Sequence, residues 1–235
     1  MYALTIAGGR GERLKPLTDD LPKPMVPING RPLISYQTDW LVREGVTDIV
    51  FLCGWKAEKI RGYFGDGLRF GFHAHYSLEE TPLGRGGAVR KGMGLVPESE
   101  EQVIVLNGDN ITNQSLAMMI ALQLRKRAMA TAMLVPYPSQ YGVVQAGEDH
   151  LVTEFIEKGR LPFWINAGVY VFDRSIEMLL PEIGDHETST FPQLVKERRM
   201  AALKSEAVWL TVDSPKDVRE VGDKLQSGVL AKAVL

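Results

Sequence analysis

A glycine-rich segment that carries several cations follows the first apolar run of the chain. The apolar run covers residues 2–7, and the segment after it reads Gly8-Gly9-Arg10-Gly11-Glu12-Arg13-Leu14-Lys15-Pro16-Leu17-Thr18. Glycines after a strand allow backbone N–H groups to approach a phosphate or a base closely. Cations outnumber acids by five to three between residues 8 and 31, and they are Arg10, Arg13, Lys15, Lys23 and Arg31. The segment therefore indicates a binding site for a phosphate or a base.

Two of these cations are better candidates than the others. Prolines at positions 16, 22 and 24 bound the loops that carry Arg13 and Lys23. Ligands of open α/β sheets bind in the crevice at the carboxyl ends of the strands, so we expect both side chains to face it. Arg10, Lys15 and Arg31 fit a solvated surface equally well. A P-loop and a dinucleotide-binding turn are excluded, because the Gly-Lys-Ser/Thr of the first and the third glycine of the second are missing.

An acidic residue ends a second apolar run. Asp109 follows the run of residues 103–106 within the sequence Asn107-Gly108-Asp109-Asn110. A carboxylate at the end of a buried strand suits Mg²⁺, which proteins bind through one or two carboxylates together with substrate phosphates. A turn-forming Asp-Asn pair fits the same residues. His73 and His75 share a face of an expected strand, but two ligands do not make a zinc site, so we expect no histidine to be catalytic.

The glycine-rich segment and the sequence Pro22-Lys23-Pro24-Met25 after it resemble the signature of the sugar-1-phosphate nucleotidyltransferases. The resemblance continues to about Asp217 and so covers nearly the whole chain. It implies an enzyme that joins a nucleoside triphosphate to a sugar 1-phosphate, forms a nucleotide sugar and releases pyrophosphate. The nucleotide-binding glycines that it implies are Gly8, Gly9 and Gly11, and the catalytic cations that hold the phosphates are Arg13 and Lys23.

A second glycine-rich segment, residues 79–88, resembles the base-recognition loop of that family. By this resemblance, Gly84 packs on the base and Glu79 reads its edge. A carboxylate accepts from the adjacent N1–H and N2–H₂ donors of guanine, whereas uracil and thymine place carbonyl oxygens on both sides of N3–H. Glu79 or Glu80 facing the base therefore favours GTP, with a mannose 1-phosphate-like hexose or a heptose 1-phosphate as acceptor. A solvent-facing acid, with UTP or dTTP and glucose 1-phosphate as substrates, is the alternative.

The resemblance also implies a Mg²⁺ cofactor and a sugar site in the second half of the chain. It assigns the metal to Asp109 and Asp213, although many relatives carry their second aspartate where Thr211 stands. The alternative role for Asp213 is to cap the following helix. The sugar-binding residues that it implies are Gly142, Glu157, Lys158, Asn166 and Gly168. Because of Thr211, a regulatory subunit that binds nucleotide sugars without turnover is a second hypothesis of another class.

Alternating strand and helix patterns must position these residues. Strands are expected at residues 2–7, 48–54 and 102–106, with helical patterns between and after them. This alternation predicts a Rossmann-like α/β fold, in which helices flank a mostly parallel sheet. Closely spaced strand patterns at residues 131–136, 142–145, 151–156 and 165–172 predict a strand-rich, sugar-binding insertion beside that sheet. A strand at 208–212 and a helix from Pro215 complete a single nucleotidyltransferase domain over residues 1–235.

The composition excludes several other classes of protein. A formal net charge of −2 gives no basic field for a nucleic-acid polymer or an anionic membrane. No apolar run approaches the ~20 residues that a membrane span needs. The single cysteine, Cys53, cannot form an internal disulfide, so a cytoplasmic location is expected. The expected partners are a nucleoside triphosphate and a sugar 1-phosphate, and the sequence leaves a homo-oligomer open.

Overall fold

Thirteen strands and six α-helices make up the described part of the chain, residues 1–139 and 141–231 of a computed structural model. The strands are β1 (Tyr2–Ile6), β2 (Pro27–Ile28), β3 (Arg31–Pro32), β4 (Asp48–Cys53), β5 (His73–Leu78), β6 (Gln102–Asn107), β7 (Asn110–Thr112), β8 (Ala130–Pro138), β9 (Val143–Ala146), β10 (Val152–Ile156), β11 (Arg160–Asp173), β12 (Met200–Lys204) and β13 (Trp209–Thr211). The helices are α1 (Leu33–Arg43), α2 (Ala57–Phe64), α3 (Gly84–Met93), α4 (Leu116–Lys126), α5 (Thr190–Lys196) and α6 (Pro215–Gln226).

Seven of the strands form one sheet in the order β12-β8-β11-β6-β1-β4-β5. β11 runs antiparallel to both of its neighbours, and the other six strands run in one direction. The chain moves outward from β1 through β4 to β5 and then returns to the other side of β1 with β6. This reversal creates a crevice at the carboxyl ends of β1 and β6. The predicted Rossmann-like α/β class with a mostly parallel sheet is confirmed.

The central strands are buried on both faces, which explains their continuous apolar sequences. Because successive side chains of a strand point to opposite faces, Ala3 packs in one apolar layer and Leu4 in the other. Helix α1 contributes Ile34 and Trp40 to the first layer, and helix α3 contributes Val89 to the second. Both faces of the sheet are therefore covered, and the loops at its carboxyl edge start from fixed strand ends.

The second half of the chain extends this sheet instead of standing beside it. β11 pairs with β6 on one side and β8 on the other, so the expected insertion is reduced to the separate hairpin β9–β10. β11 is longer than expected, because its first half pairs with β8 beyond the end of β6. The sequence does not predict the edge strand β12, whose short Met-Ala-Ala-Leu-Lys run has weak strand preference. The last strand, β13, pairs with β7 outside the main sheet.

None of the helices within residues 1–139 and 141–231 is long and apolar enough to cross a membrane. The organisation of residues 1–235 as a single domain stays a prediction. Gln140 and residues 232–235 lie outside the described residues.

His186 is fully buried among aromatic rings. The ring centroids of Tyr170, Phe172 and Phe191 lie 5.6, 5.9 and 4.9 Å from that of His186. Within the described part of the chain, neither ring nitrogen of His186 has a hydrogen-bond partner. Burial lowers the pKa of His186 to about 4, because a charged imidazolium would lose its hydration there. The side chain is therefore a neutral part of the core at neutral pH.

We expect the free energy of unfolding to fall as the pH drops from about 6.5 to about 4. The unfolded chain takes up a proton at His186 near the ordinary histidine pKa, whereas the folded chain resists it, so acid favours unfolding. This residue alone accounts for up to about 3 kcal/mol. Urea denaturation across this pH range measures the slope. The His186→Leu variant should lose that part of the slope, and an unchanged slope would contradict the argument.

Candidate active site

Three glycine-bearing loops meet at the carboxyl ends of β1, β4 and β6. The Gly108 N–H donates to the Ile6 carbonyl at 2.9 Å. A Cβ atom on Gly8 would lie 3.4 Å from the backbone nitrogen of Gly54, so these two loops touch through their backbones. A Cβ atom on Gly9 would meet nothing within 4 Å. The backbone at Gly9 is therefore open to a ligand.

An open cleft of about 360 Å³ lies over these loops. Its lining includes the sequence-predicted residues Gly8, Gly9, Lys23, Glu79, Gly84 and Asp109. A second cavity of about 310 Å³ is lined by Gly11, Arg13, Lys23 and Asp213, among others. The two cavities meet at Lys23, which lines both. The predicted phosphate, base and metal residues thus line two neighbouring cavities that share Lys23, each of a size that suits a small-molecule site.

The Lys23 ammonium lies between two carboxylates. Its Nζ donates to Asp109 Oδ2 at 2.6 Å and to Asp213 Oδ1 at 2.8 Å. Arg13 Nη2 donates to the same oxygen of Asp213 at 2.8 Å. The Lys23 side chain is 15% exposed, whereas that of Arg13 is 78% exposed. The four side chains predicted to bind phosphate and metal form a single group, which we call the Lys23 cluster.

A two-stranded ribbon brings the two aspartates of the Lys23 cluster together. β13 pairs antiparallel with β7, and Thr211 stands opposite Asn110. Asp109 immediately precedes β7, and Asp213 follows β13 by two residues. Both carboxylates therefore emerge at the same end of the ribbon. Lys23 reaches them from the 3₁₀ turn that it begins.

Helix α6 is capped by Ser214 and Asp217, not by Asp213. Ser214 is the N-cap residue, and its side chain accepts a hydrogen bond from the Asp217 N–H. The Asp217 carboxylate accepts hydrogen bonds from the N–H groups of Asp213 and Ser214, at 3.0 and 2.7 Å. This is a capping box, in which the two cap side chains satisfy each other's backbone donors. The alternative role of Asp213 as the helix cap is wrong, and its carboxylate faces Lys23.

Two opposing effects act on the carboxyl group of Asp213. Burial alone would raise the pKa of Asp213, because the carboxylate loses hydration. The hydrogen bond from Lys23 and the charges of Lys23 and Arg13 outweigh burial and hold the pKa of Asp213 below its usual value. The carboxylate is therefore ionised at neutral pH, where it balances the positive charge beside it.

The Glu79 carboxylate lies on the wall of the cleft next to Gly8. Its Oε2 accepts a hydrogen bond from the Leu83 N–H at 3.0 Å, and its Oε1 lies 3.6 Å from the position of a Cβ on Gly8. The N–H of Glu79 donates to the Cys53 carbonyl at 2.8 Å, which fixes the residue just after β5. Glu80, the other acid considered for the base, is exposed. The geometry thus favours Glu79 over Glu80 as a contact for a ligand in the cleft.

Two of the predicted nucleotide-binding glycines are also required by packing. Gly84 has a φ of +74°, and a Cβ there would lie 2.7 Å from the Gly184 carbonyl oxygen. Gly11 has a φ of +65°, and a Cβ there would lie 2.8 Å from the Cβ of Lys23. Glycine adopts such left-handed conformations without steric cost. Gly11 therefore allows the glycine-rich loop to approach the turn that carries Lys23.

The structure divides the predicted sugar-binding residues into two groups. Asn166 and Gly168 lie on β11 near the end of β6, and the Gly168 N–H donates to Asn166 Oδ1 at 3.0 Å. Gly142, Glu157 and Lys158 flank the hairpin β9–β10, where Glu157 and Lys158 are exposed. Among the hydrogen bonds and ion pairs of the described residues, none joins this second group to the Lys23 cluster.

Gly168, one of the predicted sugar-binding residues, is packed closely against the end of β6. Gly168 has a φ of +70°, and a Cβ there would lie 2.7 Å from Asn110 Nδ2 and would also overlap the amide of Asn107. Glycine at this position therefore permits the close approach of β11 to the end of β6. Its direct contribution is to packing against two asparagines.

A polar network that the sequence does not predict borders the cleft at the start of helix α3. Arg85 lines the cleft and donates to Asp185 from Nε and Nη2, at 3.2 and 3.0 Å. It also forms an ion pair of 2.6 Å with Glu187. Glu187 in turn accepts hydrogen bonds from the Tyr170 hydroxyl at 2.6 Å and from Asn166 Nδ2 at 2.9 Å. These partners are far apart in the chain, so no local spacing signals their contact.

The chain is similar to proteins of known activity. The family model described as nucleotidyl transferase matches residues 2–228. The chain is 33% identical over 226 residues to a mannose-1-phosphate guanyltransferase of Gibberella zeae, covering 92% of this chain and 62% of that protein. It is 32% identical over 231 residues to a D-glycero-alpha-D-manno-heptose 1-phosphate guanylyltransferase of Aneurinibacillus thermoaerophilus, covering 96% of this chain and 99% of that protein.

The chain is also similar in fold to a solved structure. The crystal structure of HddC from Yersinia pseudotuberculosis complexed with GMP-PN matches with a TM-score of 0.75 at 26% identity, covering 95% of this chain and 99% of that one. The chain belongs to the nucleotidyl transferase family. The resemblance that residues 8–25 carry is therefore confirmed. The chain spans 62% of the length of the Gibberella zeae relative and nearly all of the Aneurinibacillus thermoaerophilus one.

Gly168→Ala should lower the free energy of unfolding by at least about 2 kcal/mol. The alanine would have to keep a left-handed φ, and its Cβ would overlap the amides of Asn107 and Asn110. Gly9→Ala is the matched control, because nothing lies near its Cβ position, and it should change stability by less than about 0.5 kcal/mol. Urea denaturation measures both variants. Equal changes would show that Gly168 is not needed for packing.

Proposed function

We propose that this protein is a sugar-1-phosphate nucleotidyltransferase. It transfers a nucleoside monophosphate from a nucleoside triphosphate to a hexose or heptose 1-phosphate and releases pyrophosphate, with GTP and a mannose 1-phosphate-like sugar as substrates. The observation that carries the proposal is the position of Lys23, which contacts Asp109 and Asp213 where two cavities meet. Cations and a carboxylate-bound metal are the groups that neutralise charge in phosphoryl-transfer sites.

The names of the relatives support the same activity. One is by name a mannose-1-phosphate guanyltransferase, and another is by name a heptose 1-phosphate guanylyltransferase. The similar HddC structure holds GMP-PN. These names point to guanine nucleotides as donors and to sugar 1-phosphates as acceptors. We extend this activity to the chain as a proposal, because the Gibberella zeae protein is considerably longer.

The proposed reaction is an in-line displacement that needs no general base from the protein. The second pKa of a phosphate monoester is about 6, so an oxygen of the sugar phosphate is mostly ionised at neutral pH. This oxygen attacks the α-phosphorus of the nucleotide and forms a P–O bond, while the bond from the α-phosphorus to the bridging oxygen breaks and pyrophosphate leaves. Lys23 and Arg13 hold the phosphates and offset their charge, and the backbone at Gly8 and Gly9 positions the nucleotide.

Asp109 and Asp213 are the residues that we propose to hold Mg²⁺. Their carboxylates converge on a single ammonium group, so both are placed to contact one cation. Mg²⁺ is bound in such enzymes by one or two carboxylates together with substrate phosphates, and the donor set fits that description. Held by these two carboxylates, Mg²⁺ would supply positive charge that offsets the charge of the substrate phosphates.

Glu79 is the residue that we propose to read the base. One of its carboxylate oxygens is held by the Leu83 N–H, and the other lies near Gly8 on the wall of the cleft. This orientation offers an acceptor to a base that lies against Gly84. Guanine supplies two adjacent donors for such an acceptor, and uracil and thymine do not. GTP is therefore the proposed donor.

The proposed sugar site lies toward β11 and the hairpin β9–β10. Asn166 and Gly168 hold its inner side, next to the end of β6, and Gly142, Glu157 and Lys158 approach it from the exposed side. The proposed location is the cytoplasm. Neither a nucleic-acid polymer nor a membrane is among the proposed partners, and a homo-oligomer is compatible with the exposed apolar residues of the hairpin.

Pyrophosphate release by the purified protein is the experiment that tests the proposal. ATP, CTP, GTP, UTP and dTTP are each combined with mannose 1-phosphate or glucose 1-phosphate, with Mg²⁺ and with a chelator. We expect the fastest release from GTP and mannose 1-phosphate, and none with the chelator. Faster release from UTP or dTTP with glucose 1-phosphate would show that these are the donor and the acceptor instead. Nucleotide-sugar binding without release from any pair would favour the regulatory subunit and overturn the proposal.

Lys23→Met should lower kcat/KM for pyrophosphate release at least about a hundredfold, because a positioned phosphate-binding cation is lost. The thermal midpoint should fall, because Asp109 and Asp213 lose the ammonium between them, so every variant is assayed at a temperature at which it is folded. Lys15→Met is the control, because Lys15 is an exposed lysine of the same loop, and it should cost less than about threefold. Equal losses in the two variants would remove Lys23 from the mechanism.

Glu79→Gln should shift the preference from GTP toward dTTP or UTP by at least about tenfold, or ~1.4 kcal/mol. Glutamine offers a donor as well as an acceptor, so it can pair with the N3–H and an adjacent carbonyl of thymine or uracil. The ratio of kcat/KM values for GTP and dTTP measures the shift, and Glu80→Gln is the control that should leave it unchanged. A wild-type protein that uses dTTP or UTP faster than GTP would refute the guanine assignment and leave the transferase proposal standing.

A further inference from the structure

Glu187, a carboxylate that the resemblance does not assign, lies beside Asn166 of β11. Asn166 Nδ2 donates to Glu187 Oε1 at 2.9 Å, and the Tyr170 hydroxyl donates to the same oxygen at 2.6 Å. Arg85 Nη1 lies 2.6 Å from the other oxygen, Oε2. The carboxylate is therefore held by three side chains from two other elements, and its orientation is fixed.

This carboxylate lies next to the cleft, because two residues of the cleft wall contact its surroundings. Arg85 lines the cleft and pairs with Glu187. Asn107 lines the cleft at the end of β6 and packs against Gly168, whose N–H donates to Asn166 Oδ1. Asn166 is exposed, and the Glu187 side chain is 22% exposed. Asn166 and Glu187, which we call the acceptor pair, therefore lie directly behind Arg85 and Asn107 of the cleft wall.

The donor group of the acceptor pair is fully engaged in hydrogen bonds, whereas its acceptor oxygens are not. The amide nitrogen of Asn166 donates to Glu187 and also to the Tyr170 hydroxyl oxygen, at 2.7 Å, so both of its hydrogens are engaged. Asn166 Oδ1 accepts one hydrogen bond, and the Glu187 carboxylate accepts two in addition to its ion pair with Arg85. Each group keeps at least one lone pair and no donor. Such a pair suits a hydroxyl group, which can donate, and disfavours another anion.

We infer that Glu187 is a specificity-determining residue for the sugar, and that with Asn166 it binds a hydroxyl group of the sugar 1-phosphate. The inference rests on the proposed function, in which the substrate phosphate lies at the Lys23 cluster and the sugar ring extends toward β11. Arg85 is a positioning residue that holds the carboxylate and offsets its charge. A site built to bond a hydroxyl rejects an analogue that lacks it, because buried polar groups are then left unpaired.

Steady-state kinetics with mannose 1-phosphate test the inference first. Glu187→Gln should raise the KM for mannose 1-phosphate at least about tenfold and leave the KM for GTP within about twofold. Asp185→Asn is the matched control, because Asp185 also pairs with Arg85 but is not bonded to Asn166. It should change the KM for mannose 1-phosphate less than about threefold. Equal increases in the two variants would show that Glu187 acts only by holding Arg85, and would overturn the inference.

Monodeoxy analogues of mannose 1-phosphate give a readout that a structural disturbance would not move. One analogue should lose at least about tenfold in kcat/KM with the wild type, and this loss should vanish with Glu187→Gln. Thermal unfolding checks that the variant is folded, and Asn166→Ala repeats the test at the neighbouring side chain if it is not. Wild-type discrimination retained in the variants would overturn the inference.

The outcome for the wild type separates this inference from the proposed function. Absence of wild-type turnover counts against the proposed function. Wild-type turnover with unchanged discrimination in the variants counts against the acceptor pair alone. Calorimetric titration of mannose 1-phosphate into wild type and Glu187→Gln decides the inference independently of turnover. Weaker binding by the variant supports it, and equal affinities or no binding to the wild type overturn it.

Discussion

The contact of the Lys23 ammonium with Asp109 and Asp213 is the interaction on which the arrangement of the site depends. Two carboxylates repel each other at close range, and partial burial raises the cost of keeping both ionised. One ammonium between them removes that cost and fixes their separation, while Arg13 adds a second positive charge at Asp213. The same groups can exchange partners, because a phosphate offers the cations new acceptors and a divalent metal offers the carboxylates a new cation. The cluster is stable as it stands and chemically complementary to a metal–phosphate ligand.

A separate apolar cluster lies beside this charged one and holds its members in place. Each charged residue has a buried neighbour one to three positions away, and these neighbours are Leu14, Val26, Ile111 and Val212. The four neighbours belong to one packed group that also includes Val221 of helix α6. Apolar packing therefore holds together the segments that carry Arg13, Lys23, Asp109 and Asp213. Their charged side chains start close enough to one another to make direct contacts. Such support by packing is what keeps a binding site preorganised.

The sequence predicts the parts of the fold and the site that rest on local patterns, and it fails where long-range pairing decides. Continuous apolar runs identify β1, β4 and β6, because strands of a parallel sheet are buried on both faces. Asp109 is predicted from its position just after such a strand, whereas Lys23 and Asp213 are predicted from motifs that the family resemblance carries. The network of Arg85 and Asp185 is missed, since its members join elements 100 positions apart. The edge strand β12 is missed as well, because an alanine-rich run has little strand preference of its own.

The alternating exposure of residues 211–213 explains how the second aspartate can stand at position 213. The family resemblance places this residue where Thr211 stands, and here the aspartate is found two positions later. β13 ends at Thr211, and the alternation of side chains typical of a strand continues over the next two residues in their exposure. Val212, between them, is fully buried, whereas Thr211 and Asp213 are partly exposed and the Thr211 hydroxyl donates to Asp213 Oδ2 at 3.4 Å. A shift of two residues thus keeps the carboxylate on the side that faces Lys23, and a shift of one would have buried it. The departure at position 211 is therefore compatible with the pair of carboxylates that we propose to hold Mg²⁺, which weighs against a subunit that has lost its chemistry.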